Sequence, residues 1–286
     1  MQDMPLRKMI FDCTIGALRL GLRMIGQTKG AMVSAYLVEQ LTPVVRAKTS
    51  FGHIDFYCPG KIPFWRAENA LAKEPETIEW LGTLNKDSVL WDIGANVGVY
   101  SLYVALKTGV RVLAFEPSAF NYFILNKNIE VNRLDDCVQA YCIAFNDVGC
   151  LDRFYMESTE PGGALHSFSK SVDWEGKPLQ WKFRQGMVGI SIDEFVAKYG
   201  PPFPTHIKID VDGNETRIMM GARKTFSDAR LKSVLVELDT ASSAYPELTG
   251  FLKNCGLTLL AKKHDPIFDT GKYAAVFNHT FGRSEA

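Results

Sequence analysis

Residues 88–101 read Ser-Val-Leu-Trp-Asp-Ile-Gly-Ala-Asn-Val-Gly-Val-Tyr-Ser: two apolar runs separated by a glycine-rich turn. Val89, Leu90 and Trp91 suit a short buried strand with Asp92 at its carboxyl end, and Val99 to Leu106 has the apolar content of a helix. Strand, turn and helix start, in that order, predict a parallel α/β sheet with free backbone N–H groups at its mouth. Gly94 and Gly98 carry no Cβ and let a ligand approach the backbone.

The chemistry of the turn narrows the ligand. A dinucleotide fingerprint is G-x-G-x-x-G, whereas this turn is Gly94-x-x-x-Gly98 preceded by an acid. No Gly-Lys-Ser/Thr is present for a P-loop. An acid at the strand end repels phosphate but suits a cationic ligand, and S-adenosylmethionine offers a sulfonium, an α-ammonium and no phosphate. A second apolar strand, Val110 to Phe115, ends in Glu116-Pro117. Glu116 follows the turn by about 20 residues, the spacing of a carboxylate on ribose hydroxyls. Either acid alone is more often a helix cap or a solvated turn residue, but two such acids flanking one glycine turn favour the binding reading.

Asp92-Ile-Gly-Ala-Asn-Val-Gly-Val-Tyr-Ser101 and Ala114-Phe-Glu-Pro-Ser118 resemble the first two motifs of the FkbM-type S-adenosylmethionine-dependent methyltransferases. Asn121, Asn128 and Asn132 also match, and Ser191-Ile-Asp-Glu-Phe195 with Ile207-Lys-Ile-Asp-Val-Asp-Gly-Asn-Glu215 resembles the third signature. The family more often has Glu where this chain has Asp212, and a small residue at Asn214. The resemblance extends from about Phe51 to Phe277. It implies a cofactor site made of Asp92, Gly94, Ala95, Asn96, Gly98, Tyr100, Glu116, Pro117 and Ala144, the last beside the adenine. It implies an O-methyltransferase acting on a hydroxyl of a sugar, glycan or related small molecule, as in polysaccharide or lipid-linked glycan synthesis. A non-sugar natural product as acceptor, or a nucleotide-cofactor-binding α/β protein of another class, is the alternative.

The 286 residues suffice for one α/β domain with additions. Lys plus Arg equals Asp plus Glu at 32 each, so no global field favours nucleic acid, and no Asn/Asp-Pro-Pro-Tyr/Phe motif is present for a flipped base. Six scattered cysteines without a C-x-x-C pair argue against zinc and for a reduced, cytoplasmic setting. No apolar run approaches the ~20 residues that cross a bilayer, and Asp12 interrupts the one candidate signal segment.

Along the chain, residues 4–26 predict an amphipathic helix with an apolar stripe of Leu6, Met9, Cys13, Ala17, Leu20 and Met24 and with basic Arg7, Lys8, Arg19, Arg23 and Lys29. Packing on the domain or a subunit is the plainer role, and a membrane-surface contact the sharper one. Ala31 to Glu39 predicts a second helix stopped by Pro43. Residues 1–50 then form a helical extension and 51–286 the methyltransferase domain. Residues 51–66, with Pro59-Gly60 as a turn, predict a strand or hairpin beside the main domain, and Val138 to Ala144 a third strand. Residues 157–187 break the α/β rhythm and are expected to cover the acceptor site, with Trp174, Trp181 and Phe183 against sugar faces. Ser191 and Glu194 predict a capping box. His206 to Asp210 and Lys232 to Leu238 predict the fourth and fifth strands, and a terminal hairpin completes a doubly wound, mostly parallel seven-stranded sheet of the class I methyltransferase, Rossmann-like kind.

Asp92, Glu116, Asp210, Asp212 and Glu237 then fall on one rim, where mutual repulsion is costly unless cations or ligands use them. Two mechanisms fit. Asp210 or His166 acts as general base, or Asp210, Asp212 and Glu237 hold Mg²⁺ that acidifies the acceptor hydroxyl.

Overall fold

The computed structural model describes residues 4–283, without the side chains of residues 4–7, so Leu6 and Arg7 of the expected helix faces lie outside the described residues. The chain divides into two units, one ending at Pro43 and one beginning at Val44. The expected extension therefore stops at Pro43 rather than at residue 50.

The first unit is a pair of helices, α1 (Met4–Met24) and α2 (Gln27–Leu41). Gly30 sets their contact, because a Cβ there would overlap the Leu22 carbonyl oxygen. Ile15 and Leu22 of α1 and Val33 and Leu37 of α2 are half-buried. Met9, Cys13, Leu20 and Met24, the stripe expected to pack, remain exposed.

The second unit opens with a hairpin, β1 (Val44–Thr49) and β2 (Gly52–Tyr57), followed by α3 (Lys61–Glu68) and α4 (Pro75–Leu81). The expected turn at Pro59-Gly60 is instead the entry to α3, and Phe64 and Trp65 are helical. The alternating units follow: β3 (Val89–Ile93), α5 (Val99–Thr108), β4 (Arg111–Phe115), α6 (Ala119–Asn132) and β5 (Val138–Tyr141). Next come β6 (Ala144–Phe145), β7 (Cys150–Met156), β8 (Ser167–Phe168), β9 (Phe183–Ile190) and α7 (Ile192–Tyr199). The chain returns to the main sheet with β10 (His206–Ile209), α8 (Glu215–Met220), α9 (Arg223–Ser227) and β11 (Ser233–Asp239). It ends with α10 (Tyr245–Asn254), β12 (Thr258–Lys263) and β13 (Val276–Gly282).

The main sheet has the order β12-β13-β11-β10-β3-β4-β5, with β13 antiparallel to both neighbours. This is the doubly wound, mostly parallel, seven-stranded architecture of class I methyltransferases. Strand alternation splits its core in two. Trp91, Leu113 and Phe115 face one layer with Phe145, Phe195 and Ile207, while Leu90, Val112 and Ala114 face another with Leu102, Val104 and Leu125. Trp91 lies 5.3 Å from Phe115 and stacks on Phe145 at 6.1 Å. Truncating a ring of this cluster to alanine costs about 3–5 kcal/mol.

The expected third strand breaks after Tyr141. Ala144 and Phe145 leave for a separate four-stranded sheet of order β6-β9-β7-β8, to which the segment that interrupts the α/β rhythm gives β8 and the start of β9. Ser191 and Glu194 make the capping box of α7. Asn128 and Asn132 bind the β1–β2 hairpin to α6: Asn128 accepts from Tyr57 N and donates to the Val97 carbonyl, and Asn132 bonds both the N–H and the carbonyl of Asp55.

Candidate active site

The turn between β3 and α5 is held by its own chain. Gly94 and Ala95 donate to the Phe115 carbonyl at 2.9 and 3.1 Å, Gly98 donates to the Ala95 carbonyl, and Asn96 N donates to Glu116 Oε2 at 2.8 Å. The expectation of free amides along this turn is therefore corrected at four positions: the end of β4 takes Gly94 and Ala95, the Glu116 carboxylate takes Asn96, and the turn itself takes Gly98. Gly94 has φ 85° and lies so near β10 that a Cβ would overlap the Asp210 carbonyl oxygen. Gly98, at φ 89°, packs on Leu125 and lines none of the clefts described here. Only glycine meets both the backbone angle and the space at Gly94.

Glu116 follows β4 directly. It is buried, and burial lifts its carboxyl to about 7 despite bonds from Asn96 N, Ser118 N and Asn121 Nδ2. It lines a narrow cleft of about 70 Å³ together with Gly94, Asn96, Pro117, Ala144, His166 and Phe168. Three buried atoms of this lining have no partner among the described residues: Asn96 Oδ1 and both ring nitrogens of His166. Burial, with Arg66 nearby, pushes the imidazole down to about 4, so it is neutral near pH 7. These orphaned groups and the Glu116 carboxyl suit the polar edges of a nucleoside, and the residues present fit S-adenosylmethionine. Sites for ligands of this kind hold roughly 300–1,000 Å³, so the cleft is closed down.

The closing element is the backbone of residues 162–165. Gly162 N donates to Asn121 Oδ1 at 2.8 Å, and the Gly163 carbonyl accepts from Asn96 Nδ2 at 2.9 Å and Asn121 Nδ2 at 3.0 Å. Arg66 Nε donates to the Gly162 carbonyl at 2.7 Å, and Leu165 N donates to Asp212 Oδ2 at 2.7 Å. Leu165 takes φ 62°, an uncommon angle for a branched side chain that these bonds hold in place.

The acids of the rim separate into three environments. Asp92 sits beneath the turn, lining none of the clefts described here, and accepts from Ser101 Oγ at 2.6 Å. Its strand neighbour across the ladder is Lys208. Lys208 is fully buried and lies on the same strand face as Asp210, to which its Nζ donates at 2.8 Å. Burial opposes charge on both groups, but Lys208, with Lys73 and Arg66, holds Asp210 below its ordinary range, and Asp210, Asp92 and Glu74 hold Lys208 above its own. Asp212, at φ 56°, is raised to about 6 by burial and by the neighbouring Asp210 charge. Glu237 is raised well above the usual carboxylate range by burial and by Asp210, Glu74 and Asp212.

A wider cavity of about 330 Å³ lies beyond, lined by Arg66, Lys73, Glu74, Glu237, His264, Tyr273 and Asn278 among others. It shares Gly94, Asn96, Ala164, Asp210 and Asp212 with the narrow cleft. The two therefore meet at Asp210 and Asp212. Ala95 and Tyr100 face a third recess with Lys73 and Glu74, and Lys208 Nζ sits 4.9 Å from the Tyr100 ring centre. His166 belongs to the narrow cleft alone.

The Mg²⁺ set does not fit. Among the described residues no three His, Cys, Asp or Glu converge as metal ligands, and the Lys208 ammonium already neutralises Asp210. The aromatic expectation is also corrected. Trp181 stacks on Arg184 at 4.5 Å and Phe183 meets Phe120, both outside the clefts. Only Trp174 reaches the rim, stacked on Tyr273 at 5.6 Å and lining a recess with Asp212 and Glu237. Sequence reasoning missed Lys208, Arg66 and Lys73. Lys208 had a signal, a lone cation inside the apolar strand Ile207-Lys-Ile209. Arg66 and Lys73 had none, because only the fold carries α3 and the turn that follows it to the cleft.

Residues 92–258 match the family model described as the methyltransferase FkbM domain. Over 204 residues the chain is 22% identical to the 31-O-demethyl-FK506 methyltransferase FkbM of Streptomyces tacrolimicus, covering 65% of this chain and 78% of that protein. It is 25% identical over 174 residues to the hexuronic acid methyltransferase AglP of Haloferax volcanii, covering 61% and 65%. Among solved structures, a methyltransferase FkbM from Methylobacillus flagellatus KT aligns with a TM-score of 0.48 at 15% identity, over 70% of this chain and 45% of that one.

Proposed function

The chain belongs to the FkbM methyltransferase family, and from that premise we propose that this S-adenosylmethionine-dependent methyltransferase methylates a hydroxyl of a sugar or glycan. The observation that carries the reading is the meeting of the two cavities at Asp210 and Asp212. One is narrow, nucleoside-like in its polar groups and floored by Glu116. The other is wider and lined by alternating acids, Arg66, Lys73, His264 and Asn278, a lining that suits a polyhydroxylated acceptor. The relatives named for hexuronic acid and for O-demethyl-FK506 support oxygen as the methylated atom.

S-adenosylmethionine supplies the activated methyl when bound. The protein aligns the acceptor and removes its proton. Asp212 is the base in this reading. Its carboxyl, at about 6, is ionised near neutral pH yet still basic, and it lines both cavities. Asp210, pinned as an anion by Lys208, accepts a hydrogen bond from the acceptor and orients it. Glu237, raised well above the usual carboxylate range by burial and by its acidic neighbours, lines the wider cavity and contacts the acceptor there. His166 contacts the cofactor, and Glu116 receives ribose hydroxyls.

Mass spectrometry of glycans and lipid-linked sugars from cells with and without the gene tests the acceptor class. A gain of one methyl on a defined sugar is expected. A methyl difference confined to a non-sugar metabolite overturns the sugar reading and keeps the methyltransferase.

A further inference from the structure

We propose that the helical unit ending at Pro43 docks on an anionic lipid surface through the exposed face of α1. On a 3.6-residue repeat, Met9, Ile10, Cys13, Leu20 and Met24 share one face. Met9 is 57% exposed, Leu20 61% and Met24 80%, whereas Ile15 and Leu22, on another side of α1, are half-buried. An exposed apolar stripe of this length needs a cover.

The charge pattern says what kind. Residues 4–43 hold five basic residues (Arg7, Lys8, Arg19, Arg23 and Lys29) against two acids, Asp12 and Glu39, in a chain whose charges balance only over its full length. Lys8, Arg19 and Arg23 flank the stripe along one edge, where their stems cover apolar surface and their heads reach phosphate. None of these three, nor Lys29, has a salt-bridge partner among the described residues. No helix of the described residues is long and apolar enough to cross a membrane, so the contact is one that lies in the interface. A symmetric second copy would bring these basic edges together and repel, whereas anionic headgroups neutralise them.

The test uses the full chain and extruded vesicles of phosphatidylcholine alone or with phosphatidylglycerol, read by co-sedimentation. Binding should require the anionic lipid and fall as salt rises. Each basic residue near such a surface contributes on the order of fivefold in partition, so R19Q/R23Q should weaken binding roughly 25-fold. L20D/M24D should abolish it, with circular dichroism and S-adenosylmethionine affinity unchanged. R19Q/R23Q alters only exposed positions and keeps the test decisive if L20D/M24D fails to fold. Binding indifferent to lipid charge and to R19Q/R23Q overturns the proposal. So does a dimer in light scattering, with no vesicle binding, that L20D/M24D dissociates; the face is then an interface between two copies.

Discussion

At the residue scale, position on a strand face decides what each ionisable group can do. Lys208 and Asp210 stand two residues apart on one face, and Asp92 lies across the ladder from Lys208. One buried cation thus serves a buried acid, Asp92, and a half-buried one, Asp210. Lys208→Met should destabilise the protein by about 3–5 kcal/mol in urea unfolding, because it leaves those acids uncompensated. A loss under 1 kcal/mol would mean the acids are solvated. Asp212 is free of such a cation, and its value near 6 sets the catalytic prediction. Asp212→Asn should lower kcat by about 10²–10⁴ while the S-adenosylmethionine Kd stays within a few-fold. In the parent, kcat/KM should rise with pH through a limb near 6, as the carboxyl loses its proton, and the variant should lack that limb. A surviving limb would move the base role to another group.

At the element scale, the segment after β7 is a cover tied to what it covers. Its backbone is bonded to Asn96 of the glycine turn, to Asn121 of α6, to Arg66 of α3 and to Asp212. A cleft of about 70 Å³ cannot admit the cofactor while those bonds stand, so entry requires the 162–165 backbone to lift and closure to follow. Asn121→Ala removes two of the bonds. At about 0.5–1.5 kcal/mol each, the closed complex should weaken roughly 5- to 150-fold, mostly through faster cofactor release. Stopped-flow dissociation measures it, and hydrogen exchange should report lost protection at 162–165. Unchanged release would make this segment a fixed wall.

At the scale of the whole molecule, burial of ionisable groups shapes stability against pH. His166 and His206 are pushed down to about 4 by burial, so their contribution is present above 6.5 and is lost as pH falls towards 4. Glu116 and Glu215 are raised to about 7 by burial, so their contribution is present below 4.5 and is lost as pH rises through 7. The cofactor-free protein should therefore have its highest urea midpoint between about pH 4.5 and 6.5, declining on both sides. Glu116→Gln should flatten the alkaline side and His166→Asn the acid side. A midpoint that climbs steadily to pH 8 would contradict this balance.

Local chemistry determined much of the molecule. The strand–turn–helix at 89–108, the second strand ending at Glu116, the Ser191 cap and the alternation of later units follow from periodicity and from glycine where φ is positive, which neighbouring residues dictate. The same reading could not say which way groups face or what they meet. The turn amides at 94–98 looked free until β4 was seen to lie beside them. The third strand ran through Ala144 in sequence, yet hydrogen bonding to β9 draws Ala144 and Phe145 into another sheet. Trp181 looked like a sugar platform and instead packs on Arg184. Arg66, Lys73, Leu165, Asp212 and Glu237 come together from four distant stretches of chain, and the upward shifts of Asp212 and Glu237 arise from burial and from charges that only this packing brings near. Short-range sterics and hydrogen bonding are written in consecutive residues. Long-range desolvation and the meeting of two cavities at Asp210 and Asp212 exist only once the sheet has closed its layers.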